Sequence, residues 1–172
     1  GAGRLLASRC RGNRRGCEEQ AGFSHLAAVE IDGDACETLR LNRPDWNVVE
    51  LDVHHFDGRP FNGQVDLLAG GVPCPPFSIA GKRLGADDER DLFPQALRLV
   101  REMEPASVML ENVKGLSTAR FAGYRAQIQS VLEDELGYVT EWQVLNSSEF
   151  GVPQLRPRFI LVALRPVVYE YF

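Results

Sequence analysis

Along most of its length the chain alternates between short apolar runs of strand character and stretches with helical spacing, and most strand runs end on polar residues or glycine. Residues 26–31 (LAAVEI) read as a strand, 34–41 as a short helix, and 47–51 as a second strand followed by Asp52. Residues 65–69 (VDLLA) read as a third strand running into Gly70-Gly71. Over 92–103, Leu92, Phe93, Ala96, Leu97, Val100 and Met103 recur with the period of a helix. Pro94 falls in its first turn, where a missing N–H is tolerated. Residues 106–110 (ASVML) form a fourth strand ending at Glu111-Asn112. A further helix is predicted over 124–136 with Gly137 as its stop, then strands over 139–145 and 159–164. This repetition predicts an α/β domain, with a mostly parallel sheet and helices on both faces. Ligands of such sheets sit at the carboxyl ends of the strands. Glu30, Asp32, Asp52, the 70–78 segment and Glu111-Asn112 all fall at those ends.

The bulk properties fit that picture. A chain of 172 residues can bury one substantial core. Hydrophobic residues make up 44% and charged residues 25%, the proportions of a soluble domain. No apolar run approaches the roughly 20 residues that span a bilayer, and the Arg-rich start has no apolar signal core, so a cytoplasmic protein with no membrane partner is expected. The four cysteines, Cys10, Cys17, Cys36 and Cys74, include no C-x-x-C pair, and no histidine stands at ligand spacing, so no metal is expected. The net charge of −5 argues mildly against a dedicated nucleic-acid binder. It leaves room for an enzyme with one basic face, and arginines do cluster over 4–15 and 156–165.

The segment richest in chemical signal follows the third strand: Gly70-Gly71-Val72-Pro73-Cys74-Pro75-Pro76-Phe77-Ser78. Three prolines stiffen the backbone around one thiol, and two glycines allow another molecule to come close. A lone cysteine among apolar residues is more often an inert core residue. A core cysteine, however, has no need of such a loop, and a nucleophile does. By themselves, Glu111 fits a capping or ion-paired carboxylate equally well, and Arg156 and Arg158 fit a solvated or phosphate-facing pair.

Taken together these segments resemble the DNA cytosine-5 methyltransferases. The 71–78 stretch is similar to the family's catalytic loop, Glu111-Asn112-Val113 to its Glu-Asn-Val motif, and Gln154-Leu155-Arg156-Pro157-Arg158 to its Gln-x-Arg-x-Arg motif, in the family's order. The resemblance covers about 19–166. It implies a Rossmann-like S-adenosylmethionine-dependent methyltransferase fold and methyl transfer to C5 of cytosine in double-stranded DNA, on a flipped-out base. Cys74 would attack C6. An ordinary thiol, with a pKa near 8.5, is only a few per cent thiolate at pH 7, so the ring must be activated. Glu111 would hold N3 and the exocyclic amino group. Arg158, with Arg156, would hold O2 against developing negative charge.

The resemblance also implies a cofactor site. Glu30 would take the ribose hydroxyls and Ile31 would pack on the adenine. Asp52 would accept from the adenine amino group with Val53 beside it. Leu92 would be an apolar contact, and Pro73 would lie near the methionine end. Acidic residues also follow strands for no functional reason, so Glu30 and Asp52 individually remain open. The bacterial pattern implies a restriction–modification setting, with a cognate restriction endonuclease as a candidate partner.

The pattern breaks at both ends. The family opens with a strand and a Phe-x-Gly-x-Gly-Gly turn; here only Gly1-Ala2-Gly3 resembles it, and 4–18 is basic and unlike the family. The expectation is therefore an atypical segment over 1–18, a methyltransferase domain over 19–166 lacking its first strand, and a short tail over 167–172 with no target-recognition domain. Frame-shifted origin of 4–18 and weak or no activity of the isolated chain are further expectations. Three alternatives stand beside the main reading. An RNA cytosine-5 methyltransferase shares the chemistry, a non-catalytic remnant shares the fold, and a nicotinamide-dependent oxidoreductase shares the acidic strand ends but leaves the Cys74 loop without a purpose.

Overall fold

The computed structural model describes residues 4–10, 23–73 and 91–172, with the side chains of Arg4 and of residues 8–10 left aside. Seven strands form one sheet: β1 (Arg4–Cys10), β2 (Phe23–Glu30), β3 (Val48–Glu50), β4 (Leu67–Gly71), β5 (Ser107–Val113), β6 (Val139–Asn146) and β7 (Pro157–Leu164). Their order across the sheet is β3-β2-β1-β4-β5-β7-β6. Among the described residues four α-helices accompany it: α1 (Gly33–Asn42), α2 (Phe93–Met103), α3 (Ala122–Ser130), continued by a wider turn over Val131–Glu135, and the one-turn α4 (Pro166–Tyr169). Each segment predicted from periodicity is found, with ends displaced by a few residues.

Two expectations about the sheet are corrected. The central position between β2 and β4 is filled by β1, from the stretch read as basic and atypical. Leu5 pairs with Val29 on one side and Gly70 on the other, and Leu5 and Ala7 are buried in the core. Without β1 the inner edges of β2 and β4 would expose unpaired N–H and C=O groups to the interior, which is costly. The sheet is also mixed rather than mostly parallel. β2/β3 and β4/β5 are parallel, whereas β1 runs antiparallel to both neighbours and β7 antiparallel to β5 and β6. The short 147–156 link between β6 and β7 is one cause, because a parallel return needs a crossover of a dozen or more residues.

α2 shows how pattern becomes packing. Phe93, Ala96, Leu97, Leu99, Val100 and Met103 form its buried stripe. Asp91 starts it by accepting from the backbone N–H of Phe93 at 3.1 Å, and Pro94 occupies its first turn. Phe93 meets Tyr124 of α3 edge to face, 5.8 Å between ring centres. On β5, Val108, Leu110 and Asn112 are buried, while Met109 and Val113 are exposed on the opposite face among the described residues.

Leu132 lies fully buried where α3 runs into its final turn. Leu132→Ala should lower unfolding free energy by about 2–5 kcal/mol, whereas Leu41→Ala, at a site 84% exposed, should change it by less than about 0.5 kcal/mol. Urea denaturation of both variants checks this, and equal effects would contradict the assigned core.

Candidate active site

The site is built where β4, β5 and β7 lie side by side. β4 and β5 run parallel with Gly71 opposite Glu111. A Cβ added at Gly71 would stand 3.2 Å from Glu111 Oε2, so the glycine gives the carboxylate its room. The chain leaving β4 stays against β5. The Val72 N–H donates to the Glu111 carbonyl at 3.1 Å, and the Asn112 side-chain amide donates to the Val72 carbonyl at 2.9 Å. Asn112 is buried and uses its own Oδ1 to accept from the Val113 N–H at 2.7 Å. The pairing thus fixes Val72 and Pro73, the residues that lead into Cys74. Cys74 itself, with Pro75 to Ser78, lies outside the described residues.

β7 brings in the cation. Its antiparallel ladder sets Glu111 opposite Ile160 and Val113 opposite Arg158. Residues two apart on a strand share a face, so Arg158 is the diagonal neighbour of Glu111, within reach of a long side chain. Arg158 Nε and Glu111 Oε1 form an ion pair. Their side chains are 24% and 40% exposed, partly open to an incoming molecule. Arg156 lies before the strand begins and is exposed. Its backbone is anchored, with its N–H donating to Asn146 Oδ1 at 3.1 Å and its carbonyl accepting from Ser147. Of the residues marked for base chemistry, the fold therefore brings together Glu111 and Arg158, with Arg156 at the rim.

Four of the residues marked for the cofactor, Glu30, Ile31, Asp52 and Val53, gather at the ends of β2 and β3, while Pro73 follows β4 and Leu92 precedes α2. These strands are parallel, with Glu30 opposite Glu50, and the Leu51 N–H donates to the Glu30 carbonyl at 3.0 Å. The Glu30 carboxylate is buried and turned by its own chain, Oε1 accepting from the N–H groups of Ile31 (2.9 Å) and Asp32 (3.1 Å). Ile31 is 52% exposed, an apolar surface facing outward. Asp52 caps a single turn over Val53–His55. Its Oδ1 accepts from the His54 N–H at 2.9 Å and lies 2.7 Å from His54 Nδ1. These bonds, the backbone one first, hold the Asp52 carboxyl below the usual aspartate range. Val53 is buried beneath it. Leu92, partly buried, precedes the first residue of α2. Cys36, on α1, is packed inward with its thiol 3.5 Å from the Glu30 carbonyl, and so supports the strand end from below.

Several contributors were not singled out from sequence. Asn112 was quoted within a motif without a task; a buried asparagine is the signal that could have marked it. Tyr124 donates from α3 to Asp91, tying two helices beside Leu92. Arg125 of α3 donates to the carbonyls of Leu116 (2.6 Å) and Thr118 (2.8 Å), holding the loop that follows Val113. The Asn112–Val72 and Tyr124–Asp91 pairs join residues 40 and 33 positions apart. Among the described residues, no group of three or more His, Cys, Asp or Glu side chains could hold a metal ion, and no helix is long and apolar enough to cross a membrane.

Carboxylates at the ends of adjacent parallel strands suit the hydroxyls and amino group of a nucleoside, and a carboxylate beside a guanidinium suits the polar edge of a pyrimidine. Comparison with known proteins gives the family. Two curated relatives are 56% identical: the type II methyltransferase M.NgoMIV of Neisseria gonorrhoeae, over 90% of this chain and 49% of its own length, and M.NaeI of Lentzea aerocolonigenes, over 90% and 38%. The chain thus spans half or less of the length of these relatives. Among solved structures, DNMT2 of Spodoptera frugiperda superposes with a TM-score of 0.66 at 25% identity, covering 83% of this chain and 43% of that one. The model of the C-5 cytosine-specific DNA methylases matches residues 6–169, and the chain belongs to that family.

Proposed function

We propose that this chain carries the catalytic apparatus of a DNA cytosine-5 methyltransferase, acting on a cytosine extruded from double-stranded DNA, with Cys74 as nucleophile. The observation that carries the reading is the Glu111–Arg158 pair, joined across β5 and β7 beside the strand that leads to Cys74. A base within the stack cannot offer C6 to a thiolate, so the target is taken out of the duplex. Arg156 and Arg158 bind O2, and Glu111 holds N3 and the amino group. Both contacts draw charge away from C6 as the Cys74 sulfur bonds to it. The electron pair displaced from the C5–C6 bond makes C5 nucleophilic. S-adenosylmethionine, the cofactor that family membership implies, supplies the methyl group when bound. With the methyl group on C5 and the donor left as its thioether, S-adenosylhomocysteine, the C5 proton passes to a water base, the C5–C6 double bond re-forms and the Cys74 sulfur is released as thiolate.

The residues at the strand ends fit that cofactor. Glu30 accepts from ribose hydroxyls, Ile31 and Val53 flank the adenine, Asp52 accepts from its amino group, and Leu92 and Pro73 line the way to the methionine end. A cognate restriction endonuclease is the partner such a modification enzyme protects DNA against.

Two outcomes follow. Incubated with S-adenosylmethionine and a random-sequence duplex pool carrying 5-fluorocytosine, which cannot release its C5 substituent, an active protein that carries this chain should form a covalent DNA adduct that survives denaturing electrophoresis. Cys74→Ser should form none, and an adduct that persists would mean another nucleophile. Second, Asp52 accepts the adenine amino group more strongly when ionised, and the His54 bonds hold its carboxyl below the usual aspartate range. His54→Ala removes the side-chain bond but leaves the backbone one, so the carboxyl rises toward the ordinary aspartate range. The acid limb of cofactor affinity should then move to higher pH, as read by titration at a series of pH values. An unmoved limb would remove Asp52 from the adenine contact.

A further inference from the structure

One polar cluster has no part in the chemistry above. Arg98 lies on α2, within two turns of Leu92. Its Nη2 donates to the Val53 carbonyl at 2.8 Å, and its Nη1 to the Phe56 carbonyl at 3.0 Å and to Glu102 Oε1 at 2.7 Å. Its Nε donates to Gln95 Oε1 at 2.8 Å. The second oxygen of Glu102 accepts from the Gly58 N–H at 2.8 Å. Two side chains one turn apart on α2 thus take hold of three backbone groups in the 53–58 segment, which begins directly after Asp52.

That segment has little regular structure of its own. It is a single turn, closed by bonds from the His55 N–H to the Asp52 carbonyl and from the Phe56 N–H to the Val53 carbonyl. A one-turn helix leaves its carbonyls without further helical partners. A planar guanidinium that divides its donors between two such carbonyls and a carboxylate fixes direction as well as distance. The other end of the same helix begins at Leu92, anchored by Asp91. One rigid helix therefore sets the spacing between the Asp52–Val53 wall and the Leu92 wall.

We propose that Arg98, braced by Glu102, is a positioning residue for the cofactor site: it holds Asp52 and Val53 at the distance from Leu92 that the bound nucleoside requires. This rests on the assignment of Asp52, Val53 and Leu92 to the cofactor. Without the clamp Asp52 keeps its chemistry, but the segment carrying it samples other positions. Apparent affinity then falls by the fraction of time spent in the competent one. A segment in place about one tenth of the time gives a dissociation constant about tenfold larger.

The test is calorimetric titration of the full chain with S-adenosylmethionine, for the wild type, Arg98→Met, Arg98→Lys, Asp52→Ala and the Arg98→Met/Asp52→Ala double variant. Arg98→Met should weaken binding about tenfold, with Arg98→Lys in between because it keeps the charge without the planar fork. In the Asp52→Ala background Arg98→Met should cost clearly less than in the wild type, since of the two residues it positions only Val53 remains. A loss of general stability would not depend on Asp52 in this way. Gly58→Ala is a second probe that leaves Arg98 intact. Its Cβ would stand 2.9 Å from Glu102 Oε2 and 3.0 Å from Leu99 Cδ2, so the Glu102 side chain or the segment must shift and the Glu102–Gly58 bond that braces the clamp is disturbed. It too should weaken binding, and it decides the matter if Arg98→Met fails to fold. Wild-type affinity in a folded Arg98→Met or Gly58→Ala, or full multiplication of the two losses in the double variant, overturns the clamp while leaving the cofactor assignment standing if Asp52→Ala is weakened. A wild-type chain that does not bind S-adenosylmethionine overturns both.

Discussion

The ion pair between Glu111 and Arg158 is the contact on which the site depends. A partly exposed pair of this kind contributes only about 0–1 kcal/mol to stability, so its importance lies in where it stands. It joins a carboxylate from β5 to a guanidinium from β7, and only the observed antiparallel register makes them diagonal neighbours. A slip of one residue would turn Arg158 to the opposite face of the sheet. The same strand, through Asn112 and the Glu111 carbonyl, holds the chain that leads to Cys74. β5 is therefore the common reference for the groups proposed to surround the base.

The cofactor edge has the complementary design. Glu30 and Asp52 stand at the ends of parallel neighbours, and each carboxylate is first oriented by its own backbone: Glu30 by Ile31 and Asp32, Asp52 by His54. At Asp52 the bonds from His54 favour the charged form. α2 then connects this edge to the base side, carrying Leu92 at its start and the Arg98–Glu102 cluster farther along. Through Tyr124, α3 fastens the start of α2, and through Arg125 it fastens the loop beyond Val113.

Local patterns revealed what local physics determines. The buried stripe of α2, the short apolar strands and the acidic residues at their ends could all be read from residue spacing, and the three motif segments pointed to the family. What escaped depends on partners distant in the chain. β1 reads as a basic stretch because its strand character comes from being clasped between β2 and β4, with Leu5 and Ala7 buried in the core among its described side chains. The reversed direction of that strand, and so the mixed sheet, has no local signature. β5 was expected to end at Leu110 but runs to Val113, drawing Glu111 and Asn112 into the ladder. Arg98 looks like an ordinary helix-surface arginine; its partners Val53 and Phe56 lie more than forty positions earlier.

A crystal structure of the chain bound to duplex DNA carrying 5-fluorocytosine tests the central arrangement most directly. The account predicts one extruded pyrimidine with the Cys74 sulfur bonded to C6, Glu111 on its N3 and amino edge, and Arg158 on O2. A sulfur held away from the β5–β7 pair, or a base seated elsewhere, would contradict it.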